Sequence, residues 1–294
     1  MSGIIYAIIT VLAWGTWLAP SQNVPFKNQQ IKTFYVALAN LVLAFLVAIG
    51  QGLGQINAGV LWPPFLGGLI WSAGAFCAFS ATAKIGIAKA FGIWAPLNII
   101  VSIFWGAVLF DEFVDTSPFN LLWLIFSVLV ILLGVLMIIF AKGGGEKIRD
   151  QKTMVIGLAG AVGAGILWGT YFIPIKISSA SMWVAAFPLA IGIFVGSAIM
   201  ALLSRQPFVL ERNSHYLRVG LTGILWGIGN YGSLLLIETL GAGKGFTIAQ
   251  LSIVVNALVG IYILKDPRPR TRAAAFTLTG CVLATMGAVI LGNI

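Results

Sequence analysis

Ten runs of apolar residues, each about as long as a helix that crosses a bilayer, leave little else in this chain. Their approximate limits are 3–21, 33–51, 60–83, 87–110, 119–141, 154–175, 182–204, 217–239, 244–264 and 272–292. Crossing roughly 30 Å of hydrocarbon takes about 20 helical residues. With 60% hydrophobic and 9% charged residues, the 294-residue chain has too little polar surface for a soluble domain. The runs lack the polar–apolar alternation of a barrel strand, so helices are expected. The first run has no positive flank and continues into Trp14 and Pro20, so it reads as a mature helix rather than a leader.

The net charge of +9 would suit a nucleic-acid partner if it formed a patch. It does not. Of the 17 Lys and Arg residues, all but Lys176 and Lys244 fall in or beside alternate loops, the odd ones. The positive-inside rule puts those loops in the cytoplasm and both termini outside. The partner expected is the lipid of a plasma or inner membrane, with no nucleic acid. Cys77 and Cys281 fall inside spans and read as packing residues, and His215 reads as a solvated loop residue.

One short pattern occurs twice. Trp14-Gly15-Thr16-Trp17 runs to Pro20, and Trp168-Gly169-Thr170-Tyr171 runs to Pro174, 154 positions later. A second block matches at a shift of 155: Gly68 with Gly223, Trp71 with Trp226, Gly74 with Gly229, Gly86 with Gly241, Lys89 with Lys244, Phe91 with Phe246 and Asp111 with Asp266. A single insertion between blocks reconciles the two shifts. The spacing predicts an all-α membrane protein of ten transmembrane helices, built as two inverted five-helix repeats (5+5) around a central cavity. Residues 1–141 form the first repeat, and 154–294 form the second. The charged, Gly-rich segment 142–153 is a cytoplasmic linker. Five is odd, so the second repeat inserts upside down. Internal repeats of this kind build transporters, with substrate held between the halves.

These residues resemble the drug/metabolite transporter superfamily. The Trp-Gly-Thr-aromatic-x-x-Pro segments, the Gly-x-Gly-Lys-Gly-Phe run at 241–246 and Leu225-Trp226-Gly227-Ile228-Gly229-Asn230-Tyr231 look most like its glucose/ribose porter and rhamnose transporter branch. The resemblance covers nearly the whole chain. It implies a basket in which helices 1–4 and 6–9 surround a cavity while helices 5 and 10 lie outside.

A carrier for a sugar must replace the water on each hydroxyl, because an unpaired buried hydroxyl costs roughly 1–3 kcal/mol. Neutral amides donate and accept without fixing a charge in the path, and aromatic faces pack on the apolar side of a sugar ring. Asn98 and Gln250, at mid-depth on spans 4 and 9, are the first substrate contacts expected. Trp14, Trp17, Trp71, Trp94, Trp168, Tyr171, Trp226, Asn230 and Tyr231 complete the candidate set. Each has a plainer reading, as interfacial aromatics or as amides bonding neighbouring helices. Lys89, Lys176, Glu238 and Lys244 lie near span ends and are the gating or coupling candidates, set against a plainer role as snorkelling side chains. Glu238 is the one acid placed within a span. Spans 1 and 6 carry no acid, which counts against a cationic-drug exchanger of the same superfamily.

No His/Cys metal cluster, nucleophile–base pair or phosphate-binding loop is apparent, so neither an enzyme nor a cofactor is expected. The function expected is secondary uptake of a neutral monosaccharide of the glucose, ribose or rhamnose type by alternating access, with proton symport open. An amino acid or ureide is the alternative substrate. The assembly is a monomer or a homodimer.

Overall fold

The computed structural model describes residues 2–51, 53–110, 117–141, 150–178, 181–240, 248–249 and 251–291. All regular elements among them are helical. The first half holds α1 (Ser2–Thr16, followed by a 3-10 turn Ala19–Ser21), α2 (Gln29–Gln51), α3 (Ala58–Ile85), α4 (Ile87–Leu109) and α5 (Pro118–Ile139). The second holds α6 (Gln151–Trp168), α7 (Phe172–Ile177), α8 (Met182–Leu203), α9 (Asn213–Leu240), α10 (Ser252–Leu258, continued by a π-helical turn Val259–Ile263) and α11 (Arg272–Leu291). With α1 joined to its 3-10 turn and α6 to α7, nine of the described spans are long and apolar enough to cross a membrane. The shorter apolar segment Ser252–Ile263 belongs to the expected ninth span, whose residues 244–247 and 250 lie outside the described residues.

Helix starts follow local capping chemistry. Asn57, Ser117, Asp150 and Ser181 each accept a hydrogen bond from the backbone N–H three residues on. Hydrogen bonds from Thr153, its side chain first and its backbone N–H second, lower the pKa of the Asp150 carboxyl from its ordinary value. Asn28 does the same for Ile31, so α2 begins at Gln29 rather than near 33 and takes Lys32 into its first turn.

Spans 1 and 6, expected over 3–21 and 154–175, run as Gly3–Ser21 and Gln151–Ile177, but their α-helical pattern is interrupted. Each breaks inside its repeated motif, at Trp17–Leu18 and at Gly169–Tyr171. Thr16 and Thr170 hydrogen-bond back to the carbonyls of Leu12 (2.7 Å) and Ile166 (2.8 Å), a contact that bends helices. Pro20 and Pro174 lack an N–H and are tolerated only because each sits in the first turn of a new helical piece.

Packing crosses the halves throughout. α3 lies against α6 and α8, while α9 lies against α1 and α2. α4 meets α6, and α10 meets both α1 and α4. In lipid, close backbone approach replaces hydrophobic burial as the source of helix association. At the α3–α8 crossing, a side chain on Gly192 would fall on the Phe65 carbonyl. α5 and α11 pair with each other at the periphery, and α5 turns Phe119, Leu122 and Leu129 outward. That exposed face suits lipid.

Candidate functional site

The motif aromatics of spans 1 and 6 meet at one cavity. Its volume is about 50 Å³. Six tryptophans line it: Trp14 and Trp17 from the first motif, Trp168 from the second, Trp71 from α3, Trp94 from α4 and Trp226 from α9. Tyr171, Phe91, Ala95 and Asn98 complete the described lining. Trp168 is the hub. Its ring stacks on Trp71 (5.5 Å between centroids, 24° between planes), meets Trp94 edge-on at 5.4 Å and touches Trp17 at 6.1 Å. Trp71 in turn meets Trp226 at 4.3 Å.

Two matching hydrogen bonds pin the halves together here. Trp168 Nε1 donates to the Trp71 carbonyl at 3.1 Å, and Trp14 Nε1 donates to the Trp226 carbonyl at 3.3 Å. The indole edge of Trp168 abuts Gly74, where an added Cβ would stand 2.6 Å from Nε1. The indole edge of Trp14 abuts Gly229 in the same way. Only glycine leaves room for the Cδ1–Nε1 edge of an indole this close to the helix. Gly74→Ala is therefore expected to displace Trp168 and shift the tryptophan emission spectrum of the purified protein. An unchanged spectrum would contradict the packing.

Asn98 is half-buried, and its Oδ1 accepts from Ser102 Oγ at 3.3 Å. Trp14 and Trp168 have their indole N–H groups committed, whereas those of Trp17, Trp71, Trp94 and Trp226 have no acceptor among the described residues. The described lining carries no charged side chain. It offers N–H donors, one amide and flat apolar faces.

Other candidates lie elsewhere. Asn230 is buried outside the described lining, and Tyr231 turns to Trp183 of α8 at 5.5 Å. Lys89 is buried and donates to the Ala141 carbonyl at 3.1 Å. Lys176 Nζ stands 4.0 Å over the Phe110 ring. Gln250, Lys244 and the side chain of Glu238 lie outside the described residues. Two features were not anticipated. Phe91 lines the cavity, although its pairing with Phe246 in the repeat had marked the position. Lys32 is 3% exposed, with its ammonium 4.5 Å over Phe79, which itself packs on Trp17. The N-cap at Asn28 was the signal that would have placed it inside α2.

Fold and site together define a helical membrane protein with an aromatic, uncharged described cavity between its halves. The chain belongs to the sugar transport protein family, whose model matches residues 5–294. It is 23% identical over 296 residues to the glucose uptake protein GlcU of Bacillus subtilis, covering 98% of this chain and 97% of that one. A Bacillus anthracis protein named for sugar uptake is 25% identical over 298 residues, covering 99% of this chain and 98% of the other. A solved crystal structure shares the fold with a TM-score of 0.62 at 19% identity, covering 98% of this chain and 96% of that one.

Proposed function

We propose that the chain is a secondary transporter that takes up a neutral monosaccharide by alternating access. The observation that carries the reading is the cavity. Its described walls come from both halves and combine six indoles with one amide and no charged group. Amino acids would need fixed partners for a carboxylate and an ammonium, and the described lining offers neither. The sugar type is glucose, ribose or rhamnose. At about 50 Å³ the cavity has room for a few waters, far below the roughly 300 Å³ or more of a ligand pocket. The conformation is therefore a contracted one, and loading requires the halves to separate.

The halves are read as inverted repeats, 1–141 and 154–294, with 142–153 as a cytoplasmic linker in a plasma or inner membrane. The paired Trp-to-carbonyl bonds support this. So does the numbering. Gly15 faces Val255 and the Ser252 carbonyl, as Gly169 faces Val101 and the Asn98 carbonyl. Those partners differ by 255 − 101 = 154 and 252 − 98 = 154, the shift that also separates the two Trp-Gly-Thr segments.

A proton carried with a neutral sugar would draw about 2.3 kcal/mol per 100 mV from the membrane potential. Glu238 is the candidate carrier, and protonophore-resistant uptake would remove it. Asn98→Ala and Gln250→Ala are each expected to weaken sugar binding about 5- to 10-fold, the worth of one hydrogen bond. Equilibrium binding of glucose, ribose and rhamnose to the purified protein checks this. Wild-type affinity in both variants would contradict the assignment.

A further inference from the structure

The turn that follows α1 is fastened on two sides. Its backbone uses the carbonyls of Ala19 and Ser21, which accept from Gln22 and Val24. The Pro20 carbonyl goes to a side chain instead, Arg218 Nε of α9, which donates to it at 2.7 Å. One turn further along α9, the Thr222 and Ser21 hydroxyls, both 0% exposed, share a hydrogen bond of 2.8 Å. On the other flank Gln22 Nε2 donates to the Thr82 carbonyl of α3 at 2.8 Å. The turn is thus tied to the second half through α9 and to its own half through α3.

The matching place in the other half is built differently. Shifted by 154, Pro20 and Ser21 correspond to Pro174 and Ile175. Shifted back by 155, Arg218 and Thr222 correspond to Pro63 and Gly67. The correspondence holds in space, because a Cβ on Gly67 would stand 3.4 Å from Ile175 Cγ1. Thr222 meets Ser21, and Gly67 meets Ile175. The side chains of Pro63, Gly67 and Ile175 have nothing to donate or accept. The Pro174 carbonyl accepts from the Ser178 N–H at the end of its own helix. Trp105 Nε1 of α4 does donate to Thr170 Oγ1 at this end, at 3.0 Å. The contact of α3 with α7 at Gly67 is backbone and aliphatic, against the Tyr171 carbonyl and Ile175.

We propose that Arg218 and Thr222 form a lock that holds the Ser21 end of the cavity shut, so that the resting carrier opens at the α7 end. The inference rests on the reading of the halves as inverted repeats of a transporter. In such a molecule the two ends are one contact made twice, so differences between matched residues set which end is shut at rest. Parting the turn from α9 breaks a bond from a guanidinium, stronger than a neutral one, and a bond between two buried hydroxyls. Parting Gly67 from Ile175 breaks no side-chain bond. Trp17, at the interruption just before the turn, lines the cavity, so movement of the turn away from α9 opens a way in.

The test is labelling of a cavity thiol from each side of the membrane, with no sugar present. Ala95 lines the cavity, and Ala95→Cys with Cys77→Ser and Cys281→Ala leaves one thiol there. A charged, impermeant methanethiosulfonate is applied to right-side-out and inside-out vesicles from cells making the full-length protein. Lys27→Cys, exposed beside the turn, shows in a parallel sample which face carries the Ser21 end. The reporter should label faster from the α7 face. Adding Thr222→Val should raise labelling from the Ser21 face about 5- to 10-fold, and Arg218→Ala at least about 10-fold. Faster labelling from the Ser21 face in the unsubstituted reporter overturns the lock. So does an unchanged rate from that face in both variants, and labelling from the α7 face then leaves the carrier reading standing. A thiol reached from neither face in any variant removes the carrier reading and the lock together.

Discussion

Trp168→Ala is expected to abolish sugar uptake and to destabilise the protein by about 3–5 kcal/mol, the usual range for emptying a buried tryptophan. Trp168 is 6% exposed and touches the rings of Trp17, Trp71 and Trp94. Its loss leaves a hole where four aromatic side chains now support one another. It also removes the bond to the Trp71 carbonyl, one of the two pins that join α6 to α3 and α1 to α9. Trp168→Phe keeps a ring but not the N–H, so about 0.5–1.5 kcal/mol should be lost with part of the activity kept. Trp62 is the control. It is 57% exposed and packs on Phe65 alone among the described aromatic pairs. Trp62→Ala should therefore stay within about 0.5 kcal/mol of wild type. Thermal unfolding in detergent and uptake into proteoliposomes measure both effects. Equal stability of Trp168→Ala and Trp62→Ala would contradict the packing.

Gly192→Val is expected to prevent the assembly of a monodisperse protein. The crossing of α3 and α8 is backbone on backbone. A Cβ on Gly192 would meet the Phe65 carbonyl, and one on Gly68 would meet the Leu189 carbonyl. Neither obstacle is the flexible end of a side chain, so the helices themselves must separate. Gly192→Ala should cost about 1–3 kcal/mol, as overpacking does elsewhere, and the branched valine more. Gly220 on α9 has nothing within 4 Å of an added Cβ. Gly220→Ala should therefore be neutral or stabilising by up to about 1 kcal/mol, the difference in helix propensity. Size-exclusion profiles and unfolding temperatures of the three variants decide the matter. A well-behaved Gly192→Val protein would show that the crossing is looser than described.

Hydropathy made the spans legible, because about 20 apolar residues in a row have few other uses. The repeated motif falls at the ends of spans 1 and 6. It did not reveal that the helices break there, since back-bonding by Thr16 and Thr170 is a local geometric outcome that residue type permits without requiring. Trp17, Trp71, Trp94, Trp226 and Asn98 were picked for their chemistry and do line the cavity. Asn230 and Tyr231 were picked for the same reason and do not line it among the described residues. Asn230 lies one helical turn along α9 from Trp226, and Tyr231 lies about 100° further round, facing α8. A sequence gives the face of a helix but not the depth at which a cavity stops. Nor does it say which indoles are spoken for. Trp14 and Trp168 looked equivalent to the others until their N–H groups met carbonyls 212 and 97 positions away.

Exchange of labelled glucose, ribose and rhamnose across proteoliposomes holding the purified protein tests the central claim most directly. One of these sugars should show uptake accelerated by the same unlabelled sugar inside, and Trp168→Phe should slow it. Folded wild-type protein that exchanges none of the three would contradict the account.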